Sequence, residues 1–239
     1  MKKTILRNSL FTLVCSTLLL STSVQAEIAN ITVFGSTSPH FSKNYHSPAY
    51  QFGKILGQQK KTLIYNGSVY GLLGDVYKGA TDGKTEIINI SMPDIYNEQC
   101  PENHPCRENN TLLVDTVQEC QSQLYENADM IVILPGGLET LDAFTGYIIA
   151  VGNGEQEKKP VVFLNINHYW DNLRYQLDEM KRQNELGDED TDFISFTDKP
   201  RNVFSEASKL QKQIEKNKSL ATQKKITLPT QKGTLTIHY

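Results

Sequence analysis

"ADMIVILPGGLETLDAF", Ala128–Phe144, decides how this chain is read. Met130 to Leu134 is an unbroken apolar run, the pattern of a strand covered on both faces. Pro135-Gly136-Gly137 ends the run. A helical pattern follows, and its first turns carry Glu139 and Asp142. Strand, glycine turn and helix start in this order suit an anion. Glycines let backbone amides approach a ligand with no Cβ between them. The first N–H groups of a helix are unpaired and partly positive. Gly136, Gly137 and the Thr140 hydroxyl are therefore candidate phosphate- or ligand-binding groups.

Working outward, the same alternation recurs. Strand-like stretches are predicted at "NITVFG" (30–35), "TLIYNG" (62–67), "TEIINIS" (85–91), "KPVVFLNI" (159–166) and "DFISFTD" (192–198). Helical patterns lie between and after them at 47–61, 68–81, 111–128, 138–152, 168–187 and 201–216. The loop 97–109 reads as polar and irregular. Strands separated by helices of this length imply βαβ units. The expected fold is α/β, a single domain with a doubly wound, mostly parallel Rossmann-like sheet and helices on both faces. In such sheets ligands bind beyond the carboxyl ends of the strands, at the topological switch. That rule brings two more turns to the rim, Gly35-Ser36-Thr37 and Asn66-Gly67-Ser68. Gly35, Ser36, Gly67 and Ser68 join the candidate ligand-binding set. Gly71 and Gly74 read equally well as sites of close helix packing.

The totals bound the rest. Lys2, Lys3 and Arg7, the apolar run Leu10–Leu20 and "SVQA" ending at Ala26 have the pattern of a secretory signal peptide. The apolar run is too short to span a bilayer. The expected organisation is a signal at 1–26, a domain at 27–216 and a tail at 217–239 that adds an edge strand or stays flexible. The expected localisation is export to a bacterial periplasm or beyond. The formal charge is −3 with the three signal cations included, so the mature chain is more acidic still. Nothing points to nucleic acid. Cys100 and Cys106 flank a short polar loop and are expected to pair in an oxidising compartment. Cys120 reads as a buried structural thiol. No Cys/His spacing matches a zinc site, so no metal is expected.

The segments "VFGSTSP", "LIYNGSVYGLLGDVYKGA", "ADMIVILPGGLETLDAF" and "KPVVFLNINHYWDNL", in this order, resemble the Lonely Guy (LOG) family. The resemblance runs from about Ile31 to about Lys216. The family's "YGGGxxGLMG" is matched by Tyr65–Gly74, and its "PGGxGTxxE" by the nine residues from Pro135. The resemblance implies hydrolysis of the N-glycosidic bond of a nucleoside 5′-monophosphate, releasing free base and ribose 5-phosphate. It implies a nucleotide- or nucleoside-like ligand with its phosphate on the Pro-Gly-Gly loop, no cofactor, and a homodimer with the site near the interface. A Glu closing the motif and an Arg on the preceding helix would carry the chemistry.

This chain departs at those places. Glu139 replaces the Gly at the motif's fifth position, and Ala143 replaces its closing Glu. Counted back without gaps, the Arg-Lys pair falls on Cys120 and Gln121. Asp142 and Glu139 are the substitute catalytic candidates, and Arg107 in the cysteine loop is a candidate for the lost Arg. The alternative is an exported, inactive protein that binds a nucleotide, a nucleoside or a partner.

Overall fold

The computed structural model describes the backbone of residues 27–227 and the side chains of 27–221. The signal-like segment and the strand-like "GTLTIHY" lie outside the described residues. Seven strands form one sheet: β1 (Asn30–Phe34), β2 (Thr62–Tyr65), β3 (Glu86–Ser91), β4 (Asn110–Leu113), β5 (Met130–Ile133), β6 (Val161–Leu164) and β7 (Ile194–Thr197). Their order is β4-β3-β2-β1-β5-β6-β7 and every pairing is parallel. The chain winds outward in one direction from β1 and in the other from β5. The switch point is therefore the β1–β5 pair, where Phe34 stands opposite Ile133.

Seven helices cover the sheet: α1 (His46–Gln58), α2 (Gly71–Asp82), α3 (Pro93–Gln99), α4 (Val117–Glu126), α5 (Leu138–Gly152), α6 (Asp171–Arg182) and α7 (Val203–Thr227). The strand period of two sorts residues between faces. Met130 and Val132 join one core with Phe52 of α1, Val76 of α2 and Val203 of α7. Ile131 and Ile133 join another with Phe144 and Tyr147 of α5 and with Trp170. Covered on both faces, β5 must be apolar throughout, which is what its sequence shows.

Helices α1 and α2 pack backbone against backbone. A Cβ built on Gly53 would lie 2.1 Å from the Val76 carbonyl oxygen, and one on Gly79 2.1 Å from that of Tyr50. Gly57 meets the Gly83 carbonyl in the same way. One charged contact adds to this crossing. His46 Nδ1 lies 2.6 Å from Asp75 Oδ2, and His46 Nε2 is 3.0 Å from the Phe41 carbonyl. That carbonyl, helped by Asp75 and opposed by burial, raises the His46 pKa above its ordinary 6.5. Burial also raises Asp75. A raised folded-state pKa means stability that is fully present below 6.5 and lost as pH rises through the folded value. Asp75 contributes with the same sign. His46→Gln is thus expected to cost up to about 1 kcal/mol near pH 6, for a pair this exposed. The gap should narrow towards pH 8 in paired thermal melts.

The structure corrects three expectations. Residues 110–113 form the edge strand β4 rather than opening a helix, so Leu113 is exposed on a sheet edge instead of lining a helix face. Helix α4 starts later, with the Thr116 hydroxyl accepting from Glu119 N–H as its cap. Residues 93–99, which run into the loop read as irregular, form α3. The last helix does not stop at 216 but runs on to Thr227.

Candidate functional site

Three loops meet at the carboxyl end of the β1–β5 switch. Ser36 N–H donates to the Pro135 carbonyl at 3.1 Å, and the Ser36 carbonyl accepts from Leu73 N–H at 3.2 Å. The loop after β1 is thereby pinned between the Pro-Gly-Gly turn and the start of α2. Gly71 makes this possible. Its φ is +59°, and a Cβ there would stand 2.6 Å from the Ser36 carbonyl oxygen. Gly136 packs as tightly, since its Cβ would strike Thr140 Oγ1 and come within 3.1 Å of Ser36 N. Gly137 caps α5 and has nothing within 4 Å of the place its Cβ would occupy. The amide end of α5 therefore opens onto free space, as the sequence pattern implies.

A cleft of about 120 Å³ lies there, lined by Gly35, Thr37, Asn66, Gln121, Glu139 and Thr140, with Ala143 behind them. It gathers the candidates Gly35, Glu139 and Thr140, with Ser36, Gly136 and Gly137 in the adjoining turns. Gly67 and Ser68 turn elsewhere. Gly67 (φ +84°) sits under the Tyr96 ring, and the fully buried Ser68 hydroxyl donates to Gln99 Oε1 at 2.7 Å. Both fasten α3 rather than face the cleft.

The two acids are separated. Glu139 is exposed and lines the cleft. Asp142, also exposed, accepts from Gln121 Nε2 at 2.7 Å and is not among the lining residues. Gln121 and Ala143, which stand where the resemblance places a Lys and a Glu, both line the cleft. Cys120 does not. Its thiol reaches the Ile90 carbonyl at 3.3 Å, and burial pushes its pKa up to about 11. The structural reading of this thiol is supported. Arg107 does not swing in. It donates to Asn97 Oδ1 and to the Cys100 carbonyl and lies over the Tyr96 ring.

Sequence reasoning missed Tyr169. Its hydroxyl donates to the Gly136 carbonyl at 2.7 Å, which fastens the Pro-Gly-Gly turn. Asn167 and His168 just before it both have positive φ, 51° and 62°. Two consecutive non-glycine residues in the left-handed region are costly. The side chains that fix this turn are Asn165, which accepts from Trp170 N–H, and Asp171, which accepts from Asn165.

Comparison with known proteins is consistent with this geometry. The family model described as "Possible lysine decarboxylase" matches residues 73–207. The chain is 27% identical over 151 residues to a probable cytokinin riboside 5′-monophosphate phosphoribohydrolase of Oryza sativa subsp. japonica, covering 62% of this chain and 64% of the relative. It is 25% identical over 160 residues to a cytokinin riboside 5′-monophosphate phosphoribohydrolase of Arabidopsis thaliana, covering 65% and 71%. The match thus spans less than two thirds of the rice relative's length. Among solved structures, a molybdenum cofactor carrier protein from Chlamydomonas reinhardtii superposes with a TM-score of 0.55 at 14% identity, over 77% of this chain and 98% of that one. The molybdenum cofactor binding protein of Rippkaea orientalis gives 0.52 at 17%, over 77% and 96%. At these identities the likeness shows the fold.

Proposed function

This chain belongs to the Lonely Guy (possible lysine decarboxylase) family, and from that premise we propose an N-glycosidase of nucleoside 5′-monophosphates in which Glu139 supplies the catalytic carboxylate. One observation carries the reading. Glu139 and Ala143 are i and i+4 on α5, neighbours on one helix face, and both line the same cleft. A carboxylate at 139 with an alanine at 143 reaches the space that a carboxylate at 143 with a glycine at 139 would reach. The acid has moved one turn towards the helix start, and the small residue has moved with it.

The chemistry needs little more. Breaking a C1′–N bond builds positive charge on the ribose, and a nearby carboxylate stabilises that charge and positions water. The Gly137 end of α5, Thr140 and Ser36 orient the sugar phosphate. The test is release of free base from a panel of monophosphates, nucleosides and ADP-ribose. No release from any of them would sink the hydrolase. The second reading, an inactive binder, is favoured by Cys120 and Ala143, which stand where the resemblance places the reactive Arg and Glu. It predicts a ligand-dependent rise in melting temperature without release.

We also propose a homodimer through α5. Leu138 and Ile149 are 84% and 62% exposed, and with Thr145 they form one stripe along that helix. Leu138→Asp combined with Ile149→Lys should halve the mass read by light scattering while leaving circular dichroism unchanged. Export remains part of the proposal, tested by a mature N-terminus at Glu27 in the periplasmic fraction.

A further inference from the structure

Cys100 and Cys106 are joined, with Cα atoms 6.1 Å apart, as their spacing implies. The fold also brings His104 to them. One ring nitrogen and the two sulfurs all lie within 4.8 Å of one another. We propose that, once the disulfide is reduced, these three side chains form a zinc-class metal site.

Three features support it. The first is the ligand set. Two thiolates and an imidazole suit Zn(II), and three protein ligands leave a fourth position open. The second is that hydrogen bonds hold the loop beside the S–S bond. The Cys106 carbonyl accepts from Tyr96 Oη and Asn89 Nδ2. His104 N–H donates to the Pro101 carbonyl, and Arg107 N–H to that of His104. The Arg107 guanidinium holds the Cys100 carbonyl, and its charge beside the pair favours thiolates. The third is a way in. Both cysteines are fully buried, but His104 lines a 530 Å³ pocket with His46, Asp75 and Tyr77, so the open position can face solvent. Coordination through Nδ1 replaces the contact that this nitrogen now accepts from Cys106 N–H. The pocket's own dyad is no competitor, because both nitrogens of His46 are engaged.

The steps balance. A phosphine takes oxygen from water to become its oxide, and two electrons and two protons convert the disulfide into two thiols. Zn(II) then displaces two thiol protons and binds the two thiolates and the imidazole. A cellular dithiol supplies the same two electrons by closing its own disulfide.

The test uses Co(II) as a spectroscopic probe on the full chain, with a phosphine as reductant. The reduced protein should bind one Co(II) per chain, with thiolate-to-metal charge-transfer absorption that Zn(II) abolishes. The oxidised protein should show none. His104→Ala should weaken binding by at least about tenfold, and Cys120→Ser should leave it unchanged. The Cys100→Ser/Cys106→Ser double variant, which has no S–S bond, should keep its native far-ultraviolet spectrum and bind no Co(II) with charge transfer. The proposal is overturned by reduced protein without the charge-transfer band, whether folded or not, by equal binding in the oxidised protein, or by a band that His104→Ala does not alter.

Discussion

Gly79→Val is expected to leave the chain unfolded, or destabilised by more than about 3 kcal/mol, the upper end for overpacked cores. The reason is geometric. The first carbon of any side chain at 79 would lie 2.1 Å from the Tyr50 carbonyl oxygen and 2.8 Å from Lys54 N. These are backbone atoms of α1, so no rotamer change relieves the clash, and the two helices must part. Parting them uncovers Phe52, Val76 and Tyr77 together, all buried at this crossing. Valine adds branching that a helix disfavours, but that is a few tenths of a kcal/mol and cannot account for the loss. Gly137→Ala is the control. Its φ is −95° and its Cβ would meet nothing within 4 Å, so the only cost is that of Ala in place of Gly at a helix N-cap, up to about 1 kcal/mol. Urea midpoints for the two variants decide the matter. Equal midpoints would mean that α1 and α2 do not pack as described.

The contrast between Gly79 and Gly137 also shows what a sequence discloses. Both are glycines in or beside helices. Nothing local distinguishes the one that admits a second helix from the one that opens onto a cleft. The buried strands were legible because a strand covered twice leaves a continuous apolar run, and β5 and β6 have one. The edge strand β4 was not legible. It is exposed at all four residues, so no burial pattern marks it, and its pairing with β3 is a long-range fact. Helix α3 is short and buries only Tyr96, too little for periodicity to register. The end of α7 was misjudged for a different reason. "NKSLATQKK" lacks apolar spacing but contains good helix formers, which suffice to carry an established helix onward.

The site divides in the same way. The Pro-Gly-Gly turn and Thr140 could be read from spacing, because a strand and a helix in direct succession fix their geometry, whereas positions 139 and 143 stood out only through the family resemblance. Asp142 looked equivalent to Glu139 in sequence. Three helix positions apart is a rotation of about 300°, or about 60° the other way, and that turns Asp142 to Gln121 and leaves Glu139 on the cleft. Ser68 occupied a rim turn like Ser36, yet α3, unseen in the sequence, takes its hydroxyl. Tyr169 lies 33 residues beyond Gly136 and depends on a left-handed turn at Asn167 and His168, which no composition rule would place there.

Glu139→Gln is expected to lower kcat for base release by at least about 100-fold, the usual loss when one electrostatic partner of the transition state is removed. The change is nearly isosteric, and Glu139 is exposed, so folding should be unaffected. KM should fall too for phosphorylated substrates. Glu139 sits in the first turn of α5, beside the amides that would hold a phosphate. Two unit charges about 4 Å apart at a protein surface repel by up to roughly 4 kcal/mol. Neutralising one should tighten monophosphate binding and leave nucleoside binding unchanged. A lower kcat together with a lower KM is the mark of removed ground-state strain. The double variant Glu139→Gly with Ala143→Glu separates position from charge. If the carboxylate has moved one turn, this variant should regain release of base from monophosphates at a KM below the parent's. Release by Glu139→Gln at the parental kcat would take the chemistry away from residue 139. With Glu139 as the catalytic carboxylate, Asp142→Asn should be silent, because its carboxylate is engaged by Gln121 and does not line the cleft. If Asp142→Asn instead abolishes release, the acid three positions along carries the reaction and α5 must rotate to present it.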